Sequence, residues 1–481
     1  MIRSSVPTGH RAGPATRTTP AGLVLASVLL VELASGVIQG FLSPLLKSLT
    51  DVLRVTAADL NWISVANLVA SAVFTPVLSR LGDVHGHRRI LRANLALVLT
   101  GSVLVGLSRD FTTLLIGQIL QGAIAGFFPL LVGILRNRPG GGDTESRRGI
   151  SVMVAALVGG LTLGLFASGA VAASVDSPTA ALWVPAAAVA LAFAVSWPLL
   201  PETVSRPGGR VDWAGGLLLC TGLVAVMLGL GLGGTPGWEW TSAPTLGALL
   251  GGAATLAIWV RVELHTPDPM IDVRMFARRG VIVVSLVTIT FSFAMFGLQI
   301  ANPVFYGTSR TESGYGLGLD PVGIGLAMLP YLLAIALGAL LGPAVAARIT
   351  DRGTLVTGSL LMAAGYALSA TAHGSATALV AVNAVAGLGI GLLQHSTRTL
   401  AVEAVPRDRT SVGSGINELL ISVGGSLGAA VVLGISTAHT RPGDTLPDLG
   451  AYTTAWTLCA AVSAAGALFT LLHRPASKES R

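Results

Sequence analysis

The sequence predicts an all-α polytopic membrane protein with fourteen transmembrane helices. Of its 481 residues, 52% are hydrophobic and only 11% are charged, whereas about 25% of the residues in a soluble domain are charged. The mean hydropathy is +0.74. Apolar segments of about 20 residues, the length that crosses a bilayer as a helix, recur along the whole chain. They lack the alternation of polar and apolar residues over about ten positions that barrel strands require.

The fourteen apolar segments are separated by short polar loops. Gly and Ala are abundant in them, as expected where helices approach closely in lipid. In chain order the segments cover residues 21–46, 60–79, 90–107, 111–135, 149–174, 179–200, 213–233, 244–262, 280–306, 321–347, 354–372, 376–397, 411–437 and 452–472.

The first segment resembles a signal peptide only at first sight. The residues before it carry Arg3, Arg11 and Arg17 and no acid, but the segment is longer than the ~7–15 residues of a signal sequence's apolar core. Glu32 also lies in its middle. We therefore expect an uncleaved first transmembrane helix behind a short basic tail.

The charges indicate the topology and exclude nucleic acid as a partner. The net charge is +7, but the Lys and Arg residues lie in short loops between apolar segments, as in polytopic membrane proteins. An even number of helices puts both termini on one side of the membrane. The loops and tails of that side hold 25 of the 30 Lys and Arg residues. Because positive charge gathers in cytoplasmic loops, both termini are predicted to be cytoplasmic, with the lipid bilayer as the surrounding medium.

Several classes of chemistry are disfavoured by the residues present. Lys47 and Lys478 are the two lysines and neither follows a glycine, so the sequence has no phosphate-binding loop that ends in Gly-Lys-Ser/Thr. Cys220 and Cys459 lie in apolar segments and indicate neither a disulfide nor a zinc site. We predict no enzyme, no metal and no cofactor.

Internal repeats divide the chain into two related halves. Three short patterns recur in the same order, at offsets of 268, 265 and 264 residues. They pair the second segment with the tenth, the fourth with the twelfth and the fifth with the thirteenth. The patterns are Arg80-Leu81-Gly82-Asp83 with Arg348-Ile349-Thr350-Asp351, Gly122-x-x-x-Gly126 with Gly387-x-x-x-Gly391, and Gly160-x-x-x-Gly164 with Gly424-x-x-x-Gly428.

Two parallel six-helix bundles with a two-helix insert follow from this pairing. Parallel repeats of this kind are the plan of one class of transporters, in which the substrate binds between the halves near the middle of the membrane. The predicted divisions are a cytoplasmic N-terminal tail (1–20), an N-terminal six-helix bundle (21–201), a two-helix insert with cytoplasmic linkers (202–279), a C-terminal six-helix bundle (280–472) and a cytoplasmic tail (473–481).

The loop after the second segment carries the most specific motif. Its sequence is Leu81-Gly82-Asp83-Val84-His85-Gly86-His87-Arg88-Arg89. It resembles the Gly-x-Leu-x-Asp-x-x-Gly-x-Arg-Arg pattern of the major facilitator superfamily, with Ser79 in place of the leading glycine. An acid beside a tight glycine turn and an arginine pair can form a charge-assisted network that holds one state. The resemblance implies a cytoplasmic gate latched by Asp83, Gly86, Arg88 and Arg89.

Nearly the whole chain is similar to the 14-helix drug:proton antiporter branch of that family. The resemblance implies a major facilitator fold and secondary active efflux of an amphipathic drug or natural product by alternating access. It further implies a proton gradient as the energy source, with protons and a small amphipathic molecule as ligands. We expect a monomer in the bacterial cytoplasmic membrane.

Four positions depart from the pattern of that branch. Gln118 stands where the fourth helix has an arginine, and Ser35 stands where the first helix has an aspartate. Leu165 replaces the proline that follows a glycine in the fifth helix, and Ile421 replaces an arginine of the thirteenth. These departures leave the fold unaffected and bear on proton coupling.

Glu32 is the first candidate for the coupled proton. Of the 23 acids, it is one of two inside the predicted helices, and ionisable groups within a membrane are costly and functional by default. It lies one turn before Ser35 on the same helix face. We expect Glu32 to take up and release the proton in competition with substrate. The alternative is a structural hydrogen bond to Gln39 or Gln118.

Glu418 is the second acid inside a predicted helix, about seven residues into the thirteenth segment. It could be a second proton site or could bind a cationic substrate. A plain ion pair or hydrogen bond with Arg398 or Asn417 is the alternative.

Further polar residues inside the helices are candidates for a central cavity, because amides fix the orientation of a ligand in an apolar pocket. For any single residue, a helix–helix hydrogen bond is the alternative. The cavity candidates are Gln39, Gln118, Gln121, Gln299, Asn302, Asn383, Gln394 and His395.

Glycines of the fifth and thirteenth segments are expected to let helices cross closely, at the interface that moves in alternating access. The candidates are Gly160, Gly164, Gly169, Gly424 and Gly428.

Three functions are compatible with this sequence to different degrees. Proton-driven export with Glu32 as the carrier is preferred. The same fold could instead move one dedicated metabolite or nutrient with altered or no proton coupling, which the missing arginine at position 118 favours. A membrane-embedded enzyme would need a metal or nucleophile cluster, which the sequence lacks.

Overall fold

The computed structural model describes most of the chain. The described residues are 21–42, 45, 57–137, 143–175, 178–201, 210–235, 237–277, 279–440 and 446–472. Both predicted tails and the two lysines lie outside this set.

The described residues contain fourteen long helices. The fourth consists of two α-helical pieces joined by a 3₁₀ turn at Gly122–Gly126, and the tenth and eleventh are the two parts of one long segment, before and after Thr350. The helices are α1 (Ala21–Gly40), α2 (Ala57–His85), α3 (His87–Leu107), α4 (Phe111–Gln121 and Phe127–Asn137), α5 (Asp143–Val175), α6 (Val184–Leu199), α7 (Trp213–Leu232), α8 (Ala243–Glu263), α9 (Arg279–Gly307), α10 and α11 (Pro321–Ala372), α12 (Ala376–Glu403), α13 (Thr410–Ala438) and α14 (Leu449–Leu472).

This arrangement confirms the predicted all-α membrane fold. Twelve described segments are long and apolar enough to cross a membrane, and one of them contains both α10 and α11. The helix α2, with 29 residues, completes the series. Thr350 separates α10 from α11 because its φ of 71° and ψ of 162° are non-helical.

Short polar side chains begin several of these helices. Asp110, Asp212 and Asp320 each accept a hydrogen bond from a backbone amide in the first turn, at 2.9, 2.8 and 2.9 Å. Such caps satisfy amides that have no partner within the helix. The Thr113 backbone amide and hydroxyl hold the pKa of Asp110, which lies in the loop before α4, below its ordinary value.

Close glycine crossings build each half of the molecule. A Cβ added to Gly160 of α5 would lie 2.0 Å from the carbonyl oxygen of Leu33 in α1, and one added to Gly164 would lie 2.3 Å from that of Val37. Only a hydrogen atom fits at these two positions. The helices α1 and α5 therefore pack backbone to backbone.

The second half repeats this crossing with α9 and α13. A Cβ on Gly424 would lie 2.6 Å from the carbonyl oxygen of Ile289, and one on Gly428 would lie 2.0 Å from that of Phe293. Both crossings lie within a half of the molecule, whereas we expected them at the moving interface between halves. Gly169 differs from the other four candidates, because a Cβ there would meet nothing within 4 Å.

One helix of the insert, α7, lies at the seam between the halves. The helix α7 packs along α8 on one side and contacts both α2 and α13 on the other. Leu219, Leu223 and Met227 of α7 form one buried apolar cluster with Ala72 of α2 and Ile416 of α13. The insert thus touches one helix of each half.

Candidate functional site

The two halves are joined at the end of the bundle where α1 begins, which we call the gate end. Asp83, in the last turn of α2, is buried and accepts hydrogen bonds from the backbone amides of Ser411 (3.1 Å) and Val412 (3.0 Å) at the start of α13. His87 of α3 lies against the same carboxylate, with Nε2 2.9 Å from Oδ1. A carboxylate at a helix N-terminus is favoured by the free amides and the helix dipole. Asp83 therefore caps a helix of the opposite half.

The other residues of the predicted gate motif have different surroundings. Gly86 has a φ of 97°, which suits glycine and lets α2 turn directly into α3. Arg88 is half-buried and Arg89 is exposed. We expected an arginine pair around Asp83. Within the described residues, the carboxylate is instead bonded to His87 and the α13 amides.

The second copy of the motif also links the two halves, but here the acid belongs to the C-terminal half and its partner to the N-terminal half. Asp351, at the start of α11, binds Arg147 of α5 through two hydrogen bonds of 2.8 and 3.1 Å. The same guanidinium also binds Glu403 at the end of α12, at 2.7 and 2.6 Å. The sequence marks Asp351 only through the repeat, in which it corresponds to Asp83, and no motif points to Arg147 or Glu403. The repeated aspartate is thus the sequence signal for this link.

Arg136, at the end of α4, adds a third link at the gate end. Its guanidinium donates to the carbonyl oxygens of Val402 and Val405 and to the hydroxyl of Thr410. The two halves are thus fastened at this end by polar contacts between α2, α4 and α5 on one side and α11, α12 and α13 on the other.

Replacing Asp83 with asparagine is expected to loosen the gate end. The substitution keeps the size of the side chain but removes the charge, and a hydrogen bond to a charged group contributes about 1.5–3 kcal/mol. If the free energy that holds the gate end closed falls by ~1–2 kcal/mol, the population of an opened state rises about 5–30-fold. We expect a corresponding rise in the rate at which N-ethylmaleimide alkylates Ser414→Cys, because Ser414 is fully buried in the first turns of α13.

The background for this assay is Cys220→Ser with Cys459→Ala. The matched control is Asp110→Asn, a helix cap at the opposite end of the bundle, which should leave the alkylation rate unchanged. An equal rate in the Asp83→Asn protein would show that this carboxylate does not hold the gate.

A cluster of three ionisable side chains lies between the halves deeper in the bundle, and we call it the central ion cluster. Arg398 of α12 binds Glu418 of α13 with two hydrogen bonds, Nε to Oε1 at 2.7 Å and Nη2 to Oε2 at 3.2 Å. Glu32 of α1 interacts electrostatically with both of these groups from the other half. Glu32 is 1% exposed and Arg398 is 3% exposed. The cluster therefore joins a buried acid and a buried base with Glu418, whose side chain is 14% exposed.

Arg398 also contacts other groups on both sides of the interface. Its Nη1 donates to Oε1 of Gln394 at 2.7 Å, and its guanidinium carbon lies 4.7 Å from the ring centre of Phe128 in α4. Phe128 belongs to the same buried apolar cluster as Val28 and Val31 of α1. Sequence reasoning treated Arg398 only as a possible partner of Glu418, because the predicted twelfth segment ended at residue 397.

The two acids differ in their hydrogen-bond partners. Glu418 has the ion pair with Arg398 that we offered as its plain alternative. Gln39 donates to the Ser35 hydroxyl at 3.4 Å, and Gln118 accepts from Asn67, so the described partners of these amides do not include Glu32. Within the described chain, Oε1 of Glu32 has no hydrogen-bond partner.

Several cavity candidates form hydrogen bonds between helices. Gln121 donates to Ser102 of α3 at 3.0 Å. Asn302 joins α9 to two neighbours, since it donates to Asn383 at 3.1 Å and accepts from Trp456 at 2.9 Å. These amides therefore join helices within a half.

The remaining candidates lie closer to the interface or at the surface. Gln394 contacts both Arg398 and, at 3.7 Å, the sulfur of Met295 in α9. His395 is fully buried, and its Nδ1 lies 2.8 Å from the hydroxyl of Ser151 in α5. Gln39 and Gln299 are exposed. The structure thus places Gln394 beside the central ion cluster and His395 on the seam with α5.

The fold and this interface define a membrane carrier built from two pseudosymmetric halves. The family model of the Major Facilitator Superfamily matches residues 28–318 and 284–481. The chain belongs to that family, whose members are carriers and not enzymes.

Two curated relatives illustrate the range of cargo in similar proteins. The tetracenomycin C resistance and export protein of Streptomyces glaucescens is 26% identical over 406 residues, which covers 82% of this chain and 72% of that protein. A uridine/deoxyuridine transporter of Lactococcus lactis subsp. cremoris is 25% identical over 438 residues, covering 87% and 88%. These two relatives support transport of a small molecule.

Among solved structures, the human organic anion transporter MFSD10 (TETRAN) has a similar fold. The TM-score is 0.68 at 16% sequence identity, over 94% of this chain and all of that one. This likeness establishes the fold alone.

Proposed function

We propose that this protein exports an amphipathic drug or natural product in exchange for protons, by alternating access between the two halves. The observation that carries the proposal is the position of Glu32. It is a carboxyl group buried in a transmembrane helix of one half, opposite an arginine and a second carboxyl group of the other half. A buried ionisable group in a membrane is costly and is retained where it has a function.

The charges of the central ion cluster explain how proton and substrate would exclude each other. Two carboxyl groups and one guanidinium are electrically neutral together when one proton is bound. Loss of that proton leaves one net negative charge buried between the halves, which is unfavourable unless a partner compensates it. A cationic or hydrogen-bond-donating group of the substrate supplies that compensation. Proton and substrate therefore compete for one site, as exchange requires.

The proposed setting is the bacterial cytoplasmic membrane with both termini in the cytoplasm. The 25 Lys and Arg residues on the side of the termini support this orientation. The gate end is then the cytoplasmic end. The protein works as a monomer without a bound cofactor, and the proton gradient supplies the energy.

Substrate-induced proton release from energised inside-out vesicles tests this proposal. The panel contains lipophilic cations and neutral antibiotics, and vesicles without the protein serve as the control. We expect at least one compound to release protons from acidified vesicles only when the protein is present. If every compound that is transported moves without proton release, proton exchange is ruled out.

The second candidate function is transport of one dedicated nutrient or metabolite, which the uridine/deoxyuridine transporter relative favours. Uptake of labelled uridine into right-side-out vesicles, with and without a proton gradient, separates the two candidates. Uptake that persists after collapse of the gradient would support this second function.

A further inference from the structure

Arg398 is a charged group inside the transmembrane part of the described chain. It is buried, and all three of its guanidinium nitrogens are hydrogen-bonded. Nε and Nη2 bind the carboxylate of Glu418, whereas Nη1 binds a neutral amide, Gln394. One edge of the guanidinium is therefore bonded to an anion and the other is not.

The free carboxyl oxygen of the cluster lies in the opposite half. Oε1 of Glu32 is buried without a hydrogen-bond partner among the described residues. The charged groups that act on Glu32 are Glu418 of α13 and Arg398 of α12. Buried polar atoms without partners are rare in native proteins and call for an explanation.

The same structure contains a guanidinium that bridges two carboxylates. At the gate end, Arg147 binds both Glu403 and Asp351 through its two edges. The planar fork of arginine allows this double contact, whereas the ammonium group of lysine has no such fork. The guanidinium of Arg398 has the same capacity to bind two carboxylates at once.

We propose that Arg398 is the positioning residue that converts loss of a proton from Glu32 into contact between the halves. When Glu32 releases its proton to water, Nη1 of Arg398 leaves Oε1 of Gln394 and binds the Glu32 carboxylate, so that the guanidinium bridges Glu32 and Glu418. Gln394 is the neutral partner that holds Nη1 while Glu32 carries the proton. This inference rests on the proposed function, because it describes the regulation of the same site.

The partner exchange links α1 to α12 and α13 only in the deprotonated state. A substrate cation near Glu32 would have to displace Nη1. Protonation would release Arg398 to Gln394 and loosen the contact between the halves. The proton thereby controls both access to the site and the affinity for substrate.

Infrared difference spectroscopy of the purified, lipid-reconstituted protein tests this inference without any substrate. The carboxyl band of Glu32 is identified by its absence in Glu32→Gln, and its intensity is followed as a function of pH. Arg398→Lys keeps the charge but removes the bridge. We expect the pH of half-intensity to rise by about one unit or more in that variant, since the deprotonated Glu32 then loses its hydrogen bond from a charged donor.

A second substitution should move the titration in the opposite direction. Gln394→Leu removes the neutral partner that competes for Nη1, so the pH of half-intensity should fall. Arg310→Lys is the matched control, because it makes the same substitution at an exposed arginine between α9 and α10 and should leave the Glu32 band unchanged. Loss of packing alone would not shift the pH of half-intensity in opposite directions when two neighbouring residues are replaced.

The outcomes separate this inference from the proposed function. A Glu32 band that titrates equally in wild type, Arg398→Lys and Gln394→Leu overturns the role of Arg398 and leaves proton exchange intact. A Glu32 band that does not titrate at all overturns both. Opposite shifts in a protein that moves no protons with its substrate would support the role of Arg398 and overturn the proposed export mechanism.

Discussion

Glu32→Gln should abolish substrate-driven proton movement while leaving the protein folded. Glutamine matches the shape of the protonated carboxyl group but cannot release a proton, so the central ion cluster stays neutral in every state. We expect proton release in inside-out vesicles to fall at least about tenfold, the equivalent of ~1.4 kcal/mol. In the Glu32→Gln protein, exchange of labelled substrate across the membrane without a gradient should retain a larger fraction of the wild-type rate than net export does.

The control for this substitution is Glu239→Gln. Glu239 is an exposed acid in the loop between α7 and α8, and its replacement should change neither proton release nor export. Both variants are compared with wild type at matched expression. Undiminished proton release in Glu32→Gln would move the coupled proton to another group, and Glu418→Gln would then be measured next.

The number of helices and their order could be predicted from the sequence because lipid imposes a simple constraint. Each crossing must satisfy its own backbone and present apolar side chains over about 20 residues. The pattern therefore marks each helix separately, and even the bend between α10 and α11 coincides with a break between two predicted segments. The internal repeat could be recognised because Gly160 and Gly164 recur as Gly424 and Gly428. At these four positions close backbone contacts leave no room for a larger residue.

Helix ends were harder to predict, and one such boundary concealed a site residue. The predicted twelfth segment ended at 397, so Arg398 was counted among the loop cations. In the structure α12 continues to Glu403, which places Arg398 inside the bundle. Apolar pattern alone ends where a charge appears, whereas a buried charge with partners can continue a helix. The partners, Glu418 and Gln394, are supplied by tertiary packing and by the helical turn.

The gate contacts could be predicted in part for a related reason. The motif placed Asp83 at the end of a helix, and the structure places it there. Its partners, the amides of Ser411 and Val412, carry no side-chain signal, since every residue has a backbone amide. The resemblance also expects an arginine at position 118 in α4, where Gln118 stands, whereas the buried arginine that interacts with Glu32 comes from α12. Both the partners of Asp83 and the arginine near Glu32 come from distant parts of the chain, and a local sequence pattern does not indicate such contacts.

Gly160→Ala is expected to destabilise the protein more than alanine at any other glycine of α5. The new Cβ would lie 2.0 Å from the Leu33 carbonyl oxygen and 3.0 Å from Cα of Gly36. Neither atom belongs to a flexible side chain, so α1 and α5 must separate along the crossing. Overpacking of this kind costs about 1–3 kcal/mol, and occasionally more.

The neighbouring residue provides the control for this prediction. A Cβ on Gly159 would meet nothing within 4 Å, and alanine favours a helix over glycine by up to ~1 kcal/mol, so Gly159→Ala should be neutral or slightly stabilising. The measurement is thermal unfolding in detergent, followed by a thiol-reactive fluorescent dye that labels Cys459, which is fully buried in α14. Gly160→Ala should lower the unfolding temperature relative to Gly159→Ala.

The second half repeats the comparison with α13. A Cβ on Gly428 would lie 2.0 Å from the Phe293 carbonyl oxygen, whereas one on Gly434 would meet nothing within 4 Å. Gly428→Ala should therefore destabilise the protein by an amount similar to Gly160→Ala, and Gly434→Ala should not. Equal unfolding temperatures for Gly160→Ala and Gly159→Ala would mean that α1 and α5 can separate at little cost. The position of Glu32 opposite Arg398 would then depend on the other contacts of α1, of which those with α6 are the most extensive.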